Sequence, residues 1–355
     1  MKPAVIIIAV LGFLSLALFF KPSSLPISPI TSPSPTQETK PTSSETVKVL
    51  ATGLEVPWAL AFLPDQSLLV TERAGKLKKV KDGKTEVITE ISVKQTGESG
   101  LHGIAIDPKF LENNFIYLYY TYSANGDNTF NKVSRFIFKD SKLTDEKVIV
   151  DKIPGAIFHD GGRIKFGPDG YLYITTGDAQ NPSLAQDKNS LAGKILRVTD
   201  DKNVEVYSYG HRNPQGITWD NEGKLWELEH GQSATDEINL VEQGKNYGWP
   251  IIRGDEKNKE MENPVLHSGS GTWAPAGAAF YEDSIYFGGL RGAALFQYDI
   301  NAKELKIHLK GQFGRIRDVV LGPDNMLYIT TSNRDGRGNP SPDDDKIIRI
   351  NPEKL

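Results

Sequence analysis

A histidine beside two glycines is the group in this sequence best suited to acid–base chemistry. The stretch FHDGGRIKFGPDG places His159 just before Gly161 and Gly162. Glycines let the backbone turn sharply and let a flat ligand approach, and an imidazole titrates near neutral pH and can accept a proton. The motif predicts a general base. The alternative interpretation is a surface-loop histidine beside structural glycines.

A second polar motif, YGHRNPQGITWD, supplies hydrogen-bond donors. It contains Arg212 and Asn213, followed by a proline that fixes a turn. Arginine is a costly residue to direct into a channel unless an anion or a polarisable oxygen is present to meet it. The motif therefore indicates contact with a carbonyl or carboxylate of a ligand. The alternative is an arginine that pairs with a carboxylate of its own domain.

Three further arginines stand at comparable places along the chain. Arg291 lies in GGLRG, and Arg315 and Arg317 lie in GRIRDVV, where they share one side of a predicted strand. The chain as a whole has 41 Lys+Arg against 45 Asp+Glu and no basic run, which argues against nucleic acid as the partner. A cluster of these arginines with Arg212 therefore predicts a small polyanionic ligand.

An oxygen-rich stretch, ELEHGQSATDEINLVEQGKNYGWP, is a candidate metal site. It contains Glu229, Asp236, Glu237 and Tyr247. Calcium takes six to eight oxygen ligands, backbone carbonyls among them, although solvated carboxylates would give the same composition. The chain has no cysteine, which excludes disulfides, cysteine-ligated zinc, iron–sulfur clusters and a thiol nucleophile.

The elements that must position these groups are short strands that recur six times. From Val47 onward no sustained helical apolar period is visible, whereas a tight acidic turn followed by an alternating strand repeats. The acidic turn residues are Asp65, Asp107, Asp169, Asp220, Glu282 and Asp324. Their spacings of 42, 62, 51, 62 and 42 residues leave room for four strands in each unit. Residues 47–355 are therefore predicted to be all-β, a six-bladed β-propeller of four-stranded blades, the alternative being a sandwich with coincidental turns.

The two ends of this domain are predicted to meet in one sheet. The C-terminal stretch DKIIRINPE, from Asp345, alternates as a strand does, and so does VKVLATGL, from Val47. Pairing them would complete the last blade and bury both strand edges.

The N-terminal region differs from the rest of the chain. Residues 1–21 carry Lys2 and then an uncharged, mostly apolar run long enough to cross a bilayer, which predicts a signal peptide or a membrane anchor in the form of a hydrophobic helix. In residues 22–46, 18 of 25 are Ser, Thr or Pro, a composition typical of a disordered linker. We therefore expect an extracytoplasmic domain, either membrane-anchored or secreted.

Six ordered motifs identify a family resemblance. GESGLHGIAIDP, HDGGRIKFGPDGYLYITTGD, YGHRNPQG, HGQSATDEINL with KNYGWP, GGLRG and RIRD resemble those of the soluble aldose and glucose/sorbosone dehydrogenases that use pyrroloquinoline quinone (PQQ). The resemblance spans about Thr52 to Asn351. It implies a six-bladed propeller that oxidises aldoses at C1 to lactones and passes electrons to a quinone, a dye or a redox protein. The absence of a G-x-G-x-x-G βαβ unit agrees with a cofactor other than nicotinamide.

The resemblance also implies roles for the residues of the first two motifs. His159 matches the general base that takes the proton of the sugar C1 hydroxyl while hydride passes to the quinone. Asp178 matches an acid that orients this histidine. Arg212 and Asn213 match the quinone contacts, with Arg212 polarising the carbonyl that becomes negative as hydride arrives.

The remaining matches concern the cofactor and calcium. Residues that match cofactor-carboxylate positions are Arg291, Arg315 and Arg317. Gly231 and Gln232 match backbone carbonyls that bind the cofactor's Ca²⁺. Glu237 and Tyr247 match a structural Ca²⁺ site.

Two departures from the family pattern bear on the substrate site. Glu98 stands where the family commonly has glutamine among its cofactor contacts, and a carboxylate beside His159 could raise its affinity for a proton or alter sugar contacts. No long insertion precedes Thr272 and Trp273, so we expect an open, permissive sugar pocket. Two other functions stay open at this point: a calcium-dependent propeller lactonase, and a non-catalytic exported propeller that binds a glycan or a partner.

Overall fold

The part of the chain that the structure describes consists of residues 45–124, 128–200 and 203–355 of a computed structural model. The predicted apolar segment, residues 1–21, and nearly all of the predicted linker, residues 22–44, lie outside the described residues. Within the described residues, no helix is both long enough and apolar enough to pass through a membrane.

Short strands in the described residues form six four-stranded antiparallel sheets. Strand β1 spans Val47–Ala51 and belongs to the last sheet. The first sheet contains β2 (Pro57–Phe62), β3 (Leu68–Glu72), β4 (Lys76–Lys81) and β5 (Lys84–Glu90). The second contains β6 (Leu101–Ile106), β7 (Phe115–Ser123), β8 (Thr129–Lys139) and β9 (Lys142–Pro154). The third contains β10 (Ile164–Phe166), β11 (Leu172–Thr176), β12 (Lys194–Asp200) and β13 (Asn203–Tyr209).

The other three sheets follow the same order. The fourth contains β14 (Pro214–Trp219), β15 (Leu225–Glu229), β16 (Glu237–Val241) and β17 (Leu266–His267). The fifth contains β18 (Pro275–Tyr281), β19 (Ser284–Gly289), β20 (Ala294–Asp299) and β21 (Glu304–His308). The sixth contains β22 (Ile316–Leu321), β23 (Leu327–Thr331), β24 (Ile347–Ile350) and the earlier strand β1. The described parts of the chain also contain one short helix, α1 (Phe110–Asn113), and two 3₁₀ turns, Pro182–Ala185 and Pro352–Lys354.

Burial decreases from the inner to the outer strand of a blade. Every residue of β3, β11, β15, β19 and β23 is buried, whereas most of β5 and β21 is exposed or only partly covered. The inner strands of neighbouring blades pack side by side around the channel, so both faces of the inner part of each sheet are covered. Two of the second strands accordingly have the same continuous run of apolar and hydroxyl residues, LYITT at Leu172–Thr176 and again at Leu327–Thr331.

The repeated acidic turn has a local structural function. Each of the six acidic residues lies between the first and second strands of a blade. In the third blade, Asp169 Oδ1 accepts the backbone N–H of Tyr171 at 3.1 Å, and Oδ2 accepts the Tyr173 hydroxyl at 2.8 Å. Equivalent aromatic contacts join Tyr117 to Asp107, Trp226 to Asp220 and Tyr328 to Asp324. In these four blades the acid thus ties the turn to its own second strand, which explains why the pattern recurs with the blades.

The predicted closure of the ring is confirmed. β1 pairs with β24 in antiparallel register, with Val47 opposite Ile350 and Val49 opposite Ile348. Ile347, Ile348 and Ile350 are fully buried. The six-bladed, four-stranded propeller predicted from the repeat is therefore the observed fold.

Candidate active site

A cavity of about 340 Å³ lies at the end of the channel where the first strands of the blades begin. Its wall is formed by loops that enter the first strands and loops that leave the second strands, opposite the acidic turns. Residues predicted from the sequence that lie on this wall are Glu98, His159, Arg212, Asn213, Gly231, Gln232, Arg291 and Arg315. Residues separated by more than 200 positions therefore meet in one site.

The loop that carries His159 is held in place by the two glycines that follow it. A Cβ on Gly161 would lie 2.7 Å from the Thr175 carbonyl oxygen, and one on Gly162 would lie 2.5 Å from His102 Nδ1. Both glycines also have positive φ, 63° and 101°. They let the loop pack against β11 and the core, rather than clearing a path for a ligand as the sequence suggested. His159 itself has φ of 65°, an uncommon backbone conformation for a residue other than glycine.

The imidazole of His159 is fixed between a carboxylate and a guanidinium. Nδ1 lies 2.8 Å from Asp178 Oδ1, and Nε2 lies 3.0 Å from Arg212 Nη2. Asp178 is buried, and its Oδ2 accepts the indole N–H of Trp249 at 2.8 Å. Because a carboxylate only accepts hydrogen bonds, Nδ1 carries the hydrogen and Nε2 presents a lone pair. The structure therefore brings Asp178 to the back of His159 and makes Nε2 a hydrogen-bond acceptor that faces Arg212.

Arg212 is partly buried at the centre of the site. Its Nη1 donates to the His230 carbonyl oxygen at 3.1 Å, and its guanidinium lies 5.3 Å from the centre of the Trp249 ring. Burial lowers the pKa of Arg212, and the charges of Asp178 and Glu229 oppose this effect. Among the described residues, none accepts a hydrogen bond from its buried Nε. Arg212 is thus a cation beside the cavity that still has an unused hydrogen-bond donor.

The neighbouring Asn213 is anchored rather than free. Its Oδ1 accepts the backbone N–H of Gly161 at 3.1 Å, and its own backbone N–H donates to Glu229 at 3.3 Å. Asn213 is almost completely buried but contributes to the cavity wall. It links the His159 loop to the Arg212 loop.

The other predicted arginines lie at different depths. Arg291 is exposed on the cavity wall, and Arg315 is held there by Asp335 at 2.7 Å and by the Leu290 carbonyl at 3.0 Å. Arg317 does not line the cavity. It lies beneath, where Nη1 donates to Gln215 Oε1 at 2.9 Å, and burial lowers its pKa to about 10.

An arginine that the sequence reasoning missed completes the rim. Arg337, in the loop after β23, donates to Glu98 Oε1 at 2.6 Å and lies 5.2 Å from the centre of the Phe158 ring. The Glu98 carboxylate also accepts the backbone N–H of His159 at 3.4 Å, so it contacts the backbone of the histidine and not its imidazole. Burial would raise the pKa of Glu98, but His230 and Arg337 lower it to about 2. In the sequence, the feature that could have identified Arg337 as a site residue is its position in the loop after the sixth repeated strand.

Gly231 and Gln232, predicted beside calcium, lie in a loop organised by Asp236. Asp236 Oδ1 accepts the backbone N–H of Gly231 at 2.9 Å. Its Oδ2 accepts the Thr272 hydroxyl at 2.7 Å and the backbone N–H groups of Trp273 and Ala274 at 2.6 and 2.8 Å. One buried carboxylate therefore joins the loop after β15 to the loop before β18, and its oxygens are already occupied.

Glu237 and Tyr247, the second predicted calcium pair, line a small separate cavity next to Arg212. Glu237 accepts the backbone N–H of Gly254 at 2.9 Å, and the Tyr247 hydroxyl donates to the Leu240 carbonyl at 2.7 Å. Burial, and then the charge of Glu229, raise the pKa of Glu237 to about 8. The two residues are brought together, in a pocket too small for an organic ligand.

Comparisons with known proteins show the family to which a chain with this fold belongs. A family model described as "Glucose / Sorbosone dehydrogenase" matches residues 54–348. The chain is similar to aldose sugar dehydrogenase YliI of Escherichia coli (strain K12), with 33% identity over 82% of this chain and 91% of the relative. It is also similar to quinoprotein glucose dehydrogenase B of Acinetobacter calcoaceticus, with 32% identity over 58% of this chain and 52% of the relative.

A solved structure shows the same likeness in three dimensions. The PQQ-bound form of aldose sugar dehydrogenase from Streptomyces coelicolor has a TM-score of 0.81 and 36% identity to this chain, covering 86% of this chain and 97% of the other. The resemblance predicted from the six motifs is thus confirmed. The chain belongs to the glucose/sorbosone dehydrogenase family.

Proposed function

We propose that this protein oxidises aldose sugars at C1 to lactones with PQQ as its cofactor. The observation that carries the proposal is the His159 imidazole, whose Nδ1 is held by Asp178 at 2.8 Å while Nε2 faces a cavity walled by arginines. The relatives named as aldose sugar dehydrogenases, one of them PQQ-bound, support the same activity.

The cavity fits a planar tricarboxylate such as PQQ. Its volume of about 340 Å³ lies within the range of roughly 300–1,000 Å³ common for small-ligand sites. Arg212, Arg291, Arg315 and Arg337 place guanidinium groups around it, which suits carboxylate recognition. When bound, PQQ supplies the quinone carbon that accepts hydride from the sugar. Arg317, beneath the wall, contributes positive charge without direct contact.

His159 would remove the proton of the C1 hydroxyl. Asp178 fixes the tautomer with Nε2 unprotonated and stabilises the imidazolium that forms when Nε2 takes the proton. In the present structure Arg212 Nη2 donates to Nε2 at 3.0 Å. A carbonyl or carboxylate oxygen in the cavity would give Arg212 a better acceptor and free Nε2. Ligand binding would thus move the Arg212 guanidinium away from His159 Nε2 and leave that nitrogen able to accept a proton.

The calcium assignments are also part of the proposal. Gly231 and Gln232 lie on the cavity wall, where their carbonyl groups could hold Ca²⁺ against the cofactor. Glu237 and Tyr247 share a small enclosed pocket, which supports a structural Ca²⁺ site. We further propose that residues 1–21 export or anchor the domain outside the cytoplasm and that electrons leave to a quinone or a redox protein.

The lactonase alternative is disfavoured by the acidic residues of the wall. Such a site needs several carboxylates directed at one metal in the channel. Of the described residues that line the cavity, two are acidic, Glu98 and Asp236. Glu98 is paired with Arg337, and Asp236 accepts four hydrogen bonds from its own loops.

Reconstitution tests the proposal directly. The purified protein is mixed with PQQ and Ca²⁺, and dye bleaching is followed with glucose or xylose. We expect turnover in the parent protein, none in His159→Ala, and nearly unchanged PQQ binding in that variant. His308→Ala, in the outer strand β21, is the control histidine. Activity retained by His159→Ala would contradict the assignment of the base, and lactone hydrolysis without bleaching would favour the lactonase.

A further inference from the structure

A buried polar cluster lies behind the loop that carries Arg212. It consists of His211, Glu227, Glu229 and Asn239, and we call it the His211 cluster. Glu227 and Glu229 are two residues apart on β15, so they point to the same face of the sheet. Asn239 lies opposite Glu227 on the neighbouring strand β16. His211, Glu227 and Asn239 have no exposed surface, and Glu229 is 3% exposed.

Two oxygens of the His211 cluster lack a partner. Glu227 Oε1 and Asn239 Oδ1 are buried, and within the described residues neither receives a hydrogen bond. Both atoms are acceptors, and leaving a buried acceptor unpaired is unfavourable. Two carboxylates beside one imidazole also concentrate negative charge in the interior, which a bound cation would offset.

The spacing of the donor atoms fits a metal ion. His211 Nδ1 lies 3.4 Å from Glu229 Oε1 and 3.7 Å from Glu227 Oε2. One donor atom from each of these three residues can be chosen so that all lie within 4.8 Å of one another. These distances are long for charge-assisted hydrogen bonds. An ion with bonds of about 2.1 Å to its ligands separates neighbouring ligand atoms by roughly 3.0–3.6 Å.

The atoms around the His211 cluster orient its ligands. His211 Nε2 lies 2.8 Å from Ser208 Oγ, and donation of its hydrogen to this hydroxyl would leave the Nδ1 lone pair facing the carboxylates. Metal-binding histidines usually donate their other ring hydrogen to an oxygen in this way. The backbone N–H groups of Arg212 and Asn213 hold Glu229 Oε2, which leaves Oε1 directed at the imidazole.

We propose that His211, Glu227 and Glu229 bind one divalent transition-metal cation, Zn²⁺ or Mn²⁺. The Asn239 amide supports the two carboxylates, since its Nδ2 donates to Glu227 Oε2 at 3.0 Å and to Glu229 Oε1 at 3.5 Å. The imidazole nitrogen separates this site from a calcium site, since Ca²⁺ prefers oxygen ligands alone. Because Glu229 also holds the backbone of Arg212, an ion here would stiffen the loop that carries that arginine. The proposal does not depend on the proposed sugar oxidation.

Metal content and thermal stability test this site. The full chain is stripped with a chelator and then titrated separately with Zn²⁺, Mn²⁺ and Ca²⁺ in the absence of PQQ, with bound metal counted by mass spectrometry and melting followed by circular dichroism. We expect one Zn²⁺ or Mn²⁺ per chain and a higher melting temperature. Glu227→Gln should weaken binding by at least about tenfold. Glu222→Gln, at an exposed position before the same strand, is the matched control.

A spectroscopic measurement covers the case in which the variant does not fold. Co²⁺ added to the stripped parent protein should give visible d–d absorption typical of nitrogen and oxygen ligands, and Zn²⁺ should displace it. The proposal is overturned if the parent protein binds neither Zn²⁺ nor Mn²⁺. It is equally overturned if Glu227→Gln binds them with parental affinity, if Ca²⁺ alone binds, or if Co²⁺ gives only the spectrum of the hydrated ion.

Discussion

Replacing Asp178 by asparagine should prevent His159 from acting as a base while PQQ still binds. Asp178 Oδ1 accepts from His159 Nδ1 at 2.8 Å and from the backbone N–H of Gln180 at 2.9 Å, and Oδ2 accepts from Trp249 Nε1 at 2.8 Å. An amide has one oxygen and one NH₂ group, so it cannot accept from Trp249 on one side and from His159 and Gln180 on the other. If the oxygen stays with Trp249, the NH₂ group faces Nδ1, the imidazole hydrogen moves to Nε2, and no lone pair remains for the C1 hydroxyl.

The expected fall in kcat follows from the complete loss of His159 as a base. A histidine held in the wrong tautomer by such a change costs about 10⁴-fold in kcat in the serine-protease triad, which corresponds to about 5.4 kcal/mol at 1.36 kcal/mol per tenfold. The lost charge-assisted hydrogen bond should cost only about 1.5–3 kcal/mol of stability. We therefore expect kcat to fall by about 10³–10⁴-fold in a protein that still folds.

The assay measures three quantities on the same preparation: kcat from dye reduction with glucose, PQQ affinity by titration, and the urea midpoint of unfolding. Asp187→Asn, an exposed acid further along the same loop, is the control and should leave all three unchanged. If Asp178→Asn keeps kcat within tenfold of the parent value with normal PQQ affinity, the tautomer argument is wrong.

Three further predictions concern the rim, the pH dependence and the closure of the ring. Arg337→Met leaves Glu98 without its ion-pair partner beside an anionic cofactor, so PQQ affinity should fall by about 10- to 100-fold. The double variant Arg337→Met/Glu98→Gln should recover most of this lost affinity in the same titration. The pKa of Glu98 is lowered from 4.5 to about 2, so the stability that its carboxylate contributes is complete above pH 4.5 and is lost as the pH falls toward 2. The difference in urea midpoint between the parent protein and Glu98→Gln should therefore shrink between pH 6 and pH 3. A difference that stays constant over this range would refute the argument. Deleting Ile347–Leu355 removes β24 from the sixth sheet and should abolish cooperative melting by circular dichroism, so an unchanged transition would show that the ring does not need this strand.

The fold could be predicted because its repeat is built from local chemistry. An acid such as Asp169 bonds to residues two and four positions ahead, so every blade leaves a short, readable trace in the sequence. His159 and Arg212 could be predicted for a similar reason, since each lies in a compact polar motif at the start of a blade.

Other parts of the site depend on distances that the sequence does not express. Glu98 and Arg337 are 239 residues apart. They meet because the loop that enters the second blade and the loop after β23 of the sixth blade reach the same end of the channel. Arg315 and Arg317 share one side of the chain, but two residues of strand advance about 6.6 Å, enough to move Arg317 from the wall into the channel. The tight packing of Gly162 against His102 was likewise invisible, because it joins two different blades.

The pairing of β1 with β24 has a consequence for how the protein folds. Val47 and Ile350 are partners in one ladder, so the contact that seals the molecule has a sequence separation close to the length of the whole domain. Contacts of this kind carry a large loop-closure entropy and slow the search for the native state. During synthesis the ring cannot close until the last strand, β24, is available. Until then, apolar faces of the inner strands of the early blades remain uncovered. That interval is when aggregation is most favourable, and a chaperone that shields open sheets would have its greatest effect there.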